Sequence, residues 1–495
     1  MRSKQLEVKS STATRLKISL AVTVLLIVTS AAAVSWAVET LDVPPRTLAH
    51  HVERRASGHS ATVLAIGQRL AGWLLWLDRS DTARPDWPGL RLGAQPVPAV
   101  TMDSRVNVVL VSNTAAATRA IEQAQPGDVI TLIPGTYRFA GSAITVARAG
   151  TRVAGIVVRA ERPDTVFLEF DMKEGFAVAA PYWTFENLSI RGVCAQHSNC
   201  EHAFHVVSSA SHFTARNNTI TEFNAHIKIN GSDGKFPDDG LIENNTLSNS
   251  SIRDTDSSVT LIDLVAASRW VIRGNWISDF AKAGSDRISY GAFAKGGGAG
   301  NRFERNIVLC EQLLRGAPGQ RVGISLGGGG TGKEYCRDTR CITEQDGSVI
   351  ESNLILSCSD DGIYVNRSAT SQIRHNTLID TGGISVRFVE SSADVVGNIV
   401  DGTLRSRDGG VLYVGDNVLT SMTRLYLGSH PVRGLYRDFA GHDLAWVTNP
   451  PRRQLADSAA PDLCGSKRPA QPAHGAFEDF SKCLRQARHS EVPAK

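Results

Sequence analysis

A short phrase, asparagine then any residue then an aliphatic one, recurs through this 495-residue chain at Asn218, Asn245, Asn275, Asn306, Asn353, Asn376, Asn398 and Asn417. A looser first copy stands at Asn187, where Ser189 takes the aliphatic place. By subtraction, successive separations from Asn187 are 31, 27, 30, 31, 47, 23, 22 and 19 residues. Apart from the 47, a period of this length marks a solenoid, in which each unit buries its apolar face only against its neighbours. The residues around the phrase are strand formers, so the unit is a coil of strands.

A second phrase precedes most of these asparagines: HIKIN at 226–230, LIDLV at 261–265, GAFAK at 291–295, GISLG at 323–327, GIYVN at 362–366 and GISVR at 383–387. Its apolar residues lie two apart, as a strand with one buried face requires. From the middle of each phrase to the next repeat asparagine is 17, 12, 13, 28, 12 and 13 residues. The values 17 and 28 locate inserted loops at 231–239 and 328–346. Two strand phrases per coil, with like residues stacking about 4.8 Å apart, predict an all-β chain folded as a single-stranded parallel β-helix over 105–430.

The eight cysteines fit this register. Cys194 with Cys200 and Cys336 with Cys341 close short loops, and Cys464 with Cys483 staples the tail, 431–495. Cys310 lies four residues after Asn306 and Cys358 five after Asn353, which brings them to consecutive coils as the fourth bridge. Disulfides of this number belong to an exported protein, and the lack of CxxC spacing argues against structural zinc.

Export is also written at the start of the chain. Residues 1–17 carry Arg2, Lys4, Lys9, Arg15 and Lys17, and 18–38 then run without a charge until Glu39. About 20 apolar residues span a bilayer, and the basic flank stays cytoplasmic. The run is either an uncleaved transmembrane helix or a signal peptide cut near Ala37. The first reading leaves the main domain anchored to the inner membrane on its periplasmic or other extracytoplasmic side; the second leaves it secreted. In the linker 39–104, the apolar stretch 61–77 has Gln68 and Arg69 at its middle. That predicts an amphipathic helix lying on the membrane or capping the main domain, not a second crossing.

The segment VVLV at 108–111, the alanine-rich stretch 115–124 and QPGDVITLIPGTY at 125–137 resemble the opening of pectate-lyase-like right-handed β-helix proteins. That resemblance implies a short helix capping the first coil and a right-handed path. Asp462, Gly465 and Arg468 followed by GAFE at 475–478 resemble the closing segment of the same group, so the likeness covers about 105–478.

The register lists what one long face of the solenoid carries. Its first outward column is Lys228, Asp263, Phe293, Ser325, Tyr364 and Ser385; its second is Asn230, Val265, Lys295, Gly327, Asn366 and Arg387. Charged and amide side chains beside aromatic surface suit a cleft for an acidic polysaccharide. Cleaving a uronate chain by β-elimination needs a partner for the carboxylate, a base for the C5 proton and a proton for the leaving oxygen. Lys295 or Lys228 is the candidate base, Arg387 or Arg367 the carboxylate partner and Tyr364 the acid. Asp263, Asn230, Asn366, Arg321 and His226 are candidate substrate contacts. Alternatively, Lys228 and Asp263 form a rung-to-rung ion pair of under about 1 kcal/mol.

The segment 291–303, with Lys295, Asn301 and Phe303, is similar to the lysine-bearing strand of the chondroitin and alginate lyases of polysaccharide lyase family six. The resemblance implies a lysine base, an arginine on the following coil and, in many members, calcium. Here the following strand offers Leu326 and Gly327 where the arginine is expected, with Arg321 off register. Only Asp263 supplies an obvious carboxylate, so the ligand pattern does not support calcium.

Asp360 and Asp361 before Gly362 resemble the paired acids with which hydrolases of this fold activate water. Asp238-Asp239-Gly240 repeats the phrase as ordinary turn chemistry. GGGGTGK at 327–333 matches most of a phosphate-binding loop, but Glu334 stands where Ser or Thr is required and no helix follows, which excludes a nucleotide site. It is read instead as a mobile loop over the cleft, held by Cys336 and Cys341. With 53 basic against 49 acidic residues, bulk charge excludes a nucleic-acid partner. The expected function is a membrane-anchored β-helix protein that binds and modifies an acidic polysaccharide by lyase or epimerase chemistry. The alternatives are a non-catalytic carbohydrate-binding or envelope scaffold protein, or a glycoside hydrolase using Asp360 and Asp361.

Overall fold

The computed structural model describes residues 42–79, 87–96, 107–328, 330–454 and 460–484, with scattered helical positions between 17 and 40. The membrane helix or signal peptide expected over 18–38 lies largely outside the described residues. Among the described residues, no helix is long and apolar enough to cross a membrane. The chain divides into two compact units, Met1–Asp78 with Ser421–Ser429, and Arg79–Thr420 with His430–Lys495.

In the larger unit the coils build three parallel sheets, of 12, 10 and 11 strands, and a full coil contributes one strand to each. One coil runs through Thr214–Arg216, Thr219–Thr221 and Ala225–Asn230, and the next begins at Leu241–Glu243, paired in parallel with Thr214–Arg216. Three strands per coil replace the two expected. The extra strand is three residues long with a single inward side chain, such as Ala215, Ile242 or Ile272, so it shows no alternation for a period-two search to find. The inward residues of all three sheets form one continuous core.

The repeat asparagines from Asn218 to Asn417 occupy the tight corner between the first and last of these sheets, and all but the partly exposed Asn417 are buried. The looser first copy, Asn187, is one residue out of register: it stacks on Asn217, and Leu188 takes the ladder position. Asn306 is typical: its Oδ1 accepts from the backbone N–H (3.1 Å) and Nδ2 (3.0 Å) of Asn275, while its Nδ2 donates to Ile272 O and Asn353 Oδ1, both at 2.9 Å. The corner leaves backbone groups that no strand can pair. The amide, which both donates and accepts, satisfies them and hands the pattern to the next coil.

A second ladder runs along the 12-stranded sheet, where Arg159, Glu186, Arg216, Glu243, Arg273 and Glu304 are successive register partners. Arg216 Nε lies 2.5 Å from Glu186 and Arg273 Nε 2.6 Å from Glu243. Each half-exposed pair is weak, but slipping one coil would set like charges against each other, so the alternation opposes misregister.

All four expected disulfides are present, including Cys310–Cys358, whose flanking residues Leu309 and Leu356 pair across adjacent coils. The expected cap is the helix Thr114–Gln123, which starts where Asn113 Oδ1 accepts from Ala116 N and buries Ala117 and Ile121 at the end of the core.

In the smaller unit the helices Pro45–Ala56 and Ala61–Arg79 pack closely: a β-carbon at Gly67 would lie 2.4 Å from Ala56 Cβ. A buried pair, Arg46 Nε to Asp78 Oδ1 at 3.0 Å, ties their far ends.

Candidate active site

The ten-stranded sheet carries the predicted face in the predicted register. Lys228, Asp263, Phe293, Ser325, Tyr364 and Ser385 are successive partners in one outward column. Asn230, Val265 and Lys295 align in the second, and Asn366 pairs with Arg387 further along it. Glycine stands at the bend in four of these coils, at Gly291, Gly323, Gly362 and Gly383. A β-carbon at Gly323 would lie 2.7 Å from Ile355 Cγ2, and one at Gly362 2.7 Å from Leu378 Cδ2, so only glycine turns there without displacing the core.

The two predicted lysines differ in what surrounds them. Lys228 Nζ is 2.8 Å from the buried Asp263 Oδ1, so each side chain is engaged by the other. The rung-to-rung pair is therefore present. Lys295 forms no ion pair among the described residues, and its Nζ lies 4.5 Å from the centroid of the Phe293 ring. Burial holds its pKa below the ordinary lysine value, with Lys228 pressing the same way and Asp263 and Glu344 opposing. This amine reaches its neutral, proton-accepting form more readily than a solvated one.

Between Lys295 and Tyr364 lies one strand, Gln320–Leu326, whose outward positions there are only Ser325 and the following Gly327. Two strand steps of about 4.8 Å, together with two residues along the strand, separate the backbones that carry the amine and the phenol. The small residues between them, Ser325 and Gly327, form a notch that is buried beneath the chain above it. Gly327 is required: its φ is +77°, and a β-carbon there would fall 1.8 Å from Asn366 O. Burial raises the Tyr364 pKa, so the phenol keeps its proton beside the Arg387 guanidinium. Arg387 in turn pairs with Asp408 and lies 4.5 Å over Phe388, while Arg367 lies 5.4 Å over the same ring with its Nε 4.0 Å from Glu390. Asn366 is buried, with its Oδ1 lacking a hydrogen-bond donor among the described residues.

Three predicted residues are placed elsewhere. His226 precedes the outward run by two residues, at the inner side of the bend, so its ring points inward. It is fully buried with Nε2 3.1 Å from Ser248 O, and burial depresses its pKa to about 3. Arg321 is buried against Glu311 (Nε to Oε1, 2.6 Å) and the Pro318 carbonyl, and does not reach the cleft. Asp361 turns away into a buried pair with Arg405 at 2.6 Å, while Asp360 accepts from Gln320 Nε2 at 3.0 Å. Held by separate partners before the strand Ile363–Asn366 begins, the two acids do not form a water-activating pair.

The cleft also holds residues that the sequence reading passed over. His205 aligns with Lys228 in the first column and bridges Glu174 (Nδ1 to Oε1, 3.0 Å) and Asn230 (Nε2 to Oδ1, 2.7 Å), and this contact lowers the Glu174 pKa. His202 is 5.2 Å from it, its own pKa pushed down to about 4 by burial first, with His205 and Lys228 pressing the same way. HAFHVV at 202–207 aligns with AHIKIN at 225–230, a signal available in the sequence, since His205 stands 13 residues before Asn218, an interval that other phrases share. Tyr290 stacks edge-on against Phe293 at 5.4 Å and extends the aromatic floor.

Both expected insertions border the notch. Arg337, in 328–346, donates to both Asp238 carboxylate oxygens (2.7 and 2.8 Å) in 231–239 and lies 4.4 Å over Phe236. The glycine-rich start of the longer loop passes directly over the base: a β-carbon at Gly328 would lie 2.6 Å from Lys295 Cδ. Buried Glu344 accepts from Gly328 N and Thr331 Oγ1, and Gln345–Asp346 joins Gly298–Ala299 and Ser368–Ala369 in a small parallel sheet. The loop is a clasped roof. Arg337→Ala is expected to raise amide hydrogen exchange across 328–346 severalfold while the coil amides keep their protection. Unchanged exchange would show that the Cys336–Cys341 bridge holds the roof alone.

Among the described residues no three His, Cys, Asp or Glu side chains are grouped to hold a metal ion. A family model described as a right-handed beta helix region matches residues 324–422. Among solved structures, the chain is similar to pectate lyase Pel9A (14% identity, 76% of this chain and 97% of that one, TM-score 0.45). It is also similar to the GH136 lacto-N-biosidase from Eubacterium ramulus (10%, 63% and 67%, TM-score 0.41). A third likeness is to the PL6 family polysaccharide lyase Pedsa3628 from Pseudopedobacter saltans (13%, 68% and 95%, TM-score 0.35). No curated protein matches the chain in sequence.

Proposed function

We propose that this protein binds an acidic polysaccharide along the ten-stranded sheet and modifies it by removing the proton beside a uronate carboxylate, as a lyase or an epimerase. The observation that carries the proposal is Lys295: a lysine without an ion pair among the described residues, its pKa lowered by burial, on the same sheet face as Tyr364, whose pKa burial raises, with one strand between them. Lys295 Nζ takes the C5 proton. The carboxylate, on which negative charge builds, is met by Arg387 or Arg367, with the ion-paired Lys228 on the other side. In elimination Tyr364 gives its proton to the leaving glycosidic oxygen as the C4–O bond breaks and the C4–C5 double bond forms. In epimerisation a proton returns to C5 from the opposite face. The proposal keeps 18–38 as an inner-membrane anchor with the cleft on the periplasmic side.

Incubation with a panel of polyuronates distinguishes the outcomes. Elimination gives products that absorb in the ultraviolet through the new double bond, and epimerisation gives solvent deuterium at C5 without chain cleavage. New reducing ends without absorbance would identify a hydrolase and overturn the proposal. Binding with none of these changes would leave a carbohydrate-binding scaffold.

A further inference from the structure

The helix Ala61–Arg79 is apolar on two adjoining faces. One side, with Gly67, Ala71, Leu74 and Asp78, packs inside its own unit. The other carries Val63, Ile66, Leu70, Trp73 and Trp76, spaced three or four residues apart, each between 44% and 62% exposed. Five large apolar side chains on one exposed face exceed what an isolated surface helix carries. Yet the helix is not apolar enough to cross a bilayer.

We propose that this face lies flat in the surface of an anionic lipid bilayer. Charge and composition select that partner. The helix has one acidic residue, Asp78, and it is consumed by Arg46 within the unit. The exposed cations of the two helices are Arg54, Arg55 and Arg69, against the single exposed acid Glu53. Arg69 stands within the apolar stripe, where its long stem lies along the acyl boundary while the guanidinium reaches phosphate. The two tryptophans are the side chains that favour the boundary between headgroup and hydrocarbon. The same unit contains the uncharged run 18–38, of which Val22, Leu25 and Trp36 are likewise exposed. The inference rests on the tethering part of the proposed function and adds a second, in-plane contact to it.

The test uses the full chain reconstituted in vesicles of phosphatidylcholine and phosphatidylglycerol containing lipid brominated near the headgroup. Carbonate washing reads the anchor and bromine quenching reads the helix, so the two failures separate. Trp73 and Trp76 are two of eight tryptophans, and Trp36 reports on the anchor run. The quenchable part of the emission is expected to fall severalfold more in Trp73→Phe/Trp76→Phe than in Trp446→Phe, and omitting phosphatidylglycerol is expected to weaken quenching in the wild type. Retention of the chain with quenching unaffected by Trp73→Phe/Trp76→Phe would overturn the inference and assign the stripe to a protein contact. Loss of the chain on washing would overturn the anchor as well.

Discussion

Lys295→Ala is expected to lower turnover on every uronate polymer the protein accepts by about 10²- to 10⁴-fold, the usual contribution of a positioned general base. Its melting transition should stay close to that of the parent, because the lysine makes no ion pair among the described residues. Lys295→Arg should fail equally, since a guanidinium keeps its proton across the accessible pH range. The pH profile carries the sharper signature. The base must be unprotonated and the acid protonated, so activity rises with pH through the Lys295 pKa, below the ordinary lysine value of 10.5, and falls only above the raised Tyr364 pKa.

Neighbouring charges should move the rising limb in opposite directions. Asp263 favours the protonated form of Lys295 and Lys228 disfavours it. Asp263→Asn therefore shifts the limb toward lower pH, whereas Lys228→Ala shifts it higher by removing the cation and releasing Asp263 to act on Lys295. Wild-type rates in Lys295→Ala, or a limb that ignores both neighbours, would remove the lysine from the mechanism.

The sequence exposed the solenoid because its period is carried by residues with a geometric duty: asparagine at the corners, glycine at four of the bends, alternating aliphatics between. The same periodicity placed Lys228, Asp263, Phe293 and Tyr364 in one column, since parallel strands stack without offset. What it did not show was orientation at the edges of the phrase. His226 and Arg321 are polar residues beside outward positions, but the bend turns the first into the core, and Glu311, itself buried, draws the second away. Nor did spacing alone show what covers the notch. The intervals of 17 and 28 residues located two loops, but their clasp through Arg337 and Asp238 joins residues 99 apart that no period relates.

Asn306→Ala is expected to destabilise the larger unit by about 3 kcal/mol or more, against under about 1 kcal/mol for Asn417→Ala, although both sit in the same ladder. Removing the Asn306 amide strips acceptors from the buried N–H groups of Asn275 and a donor from Ile272 O, where no water replaces them. Asn417 accepts the same bonds from Asn398, at 2.9 Å each, but lies at the partly exposed end of the ladder, so water can take over. Asn306→Asp should be at least as damaging as alanine. It loses the donors and sets a buried charge against Ile272 O and Asn353 Oδ1. Because Asn275 and Asn306 share two of these bonds, Asn275→Ala combined with Asn306→Ala should cost less than the sum of the single losses. Denaturant titration of the five variants, Asn275→Ala alone included, measures all of this. Equal, small losses at Asn306 and Asn417 would show that the corners are held by the strands on either side, and that the asparagines merely fill the space between them.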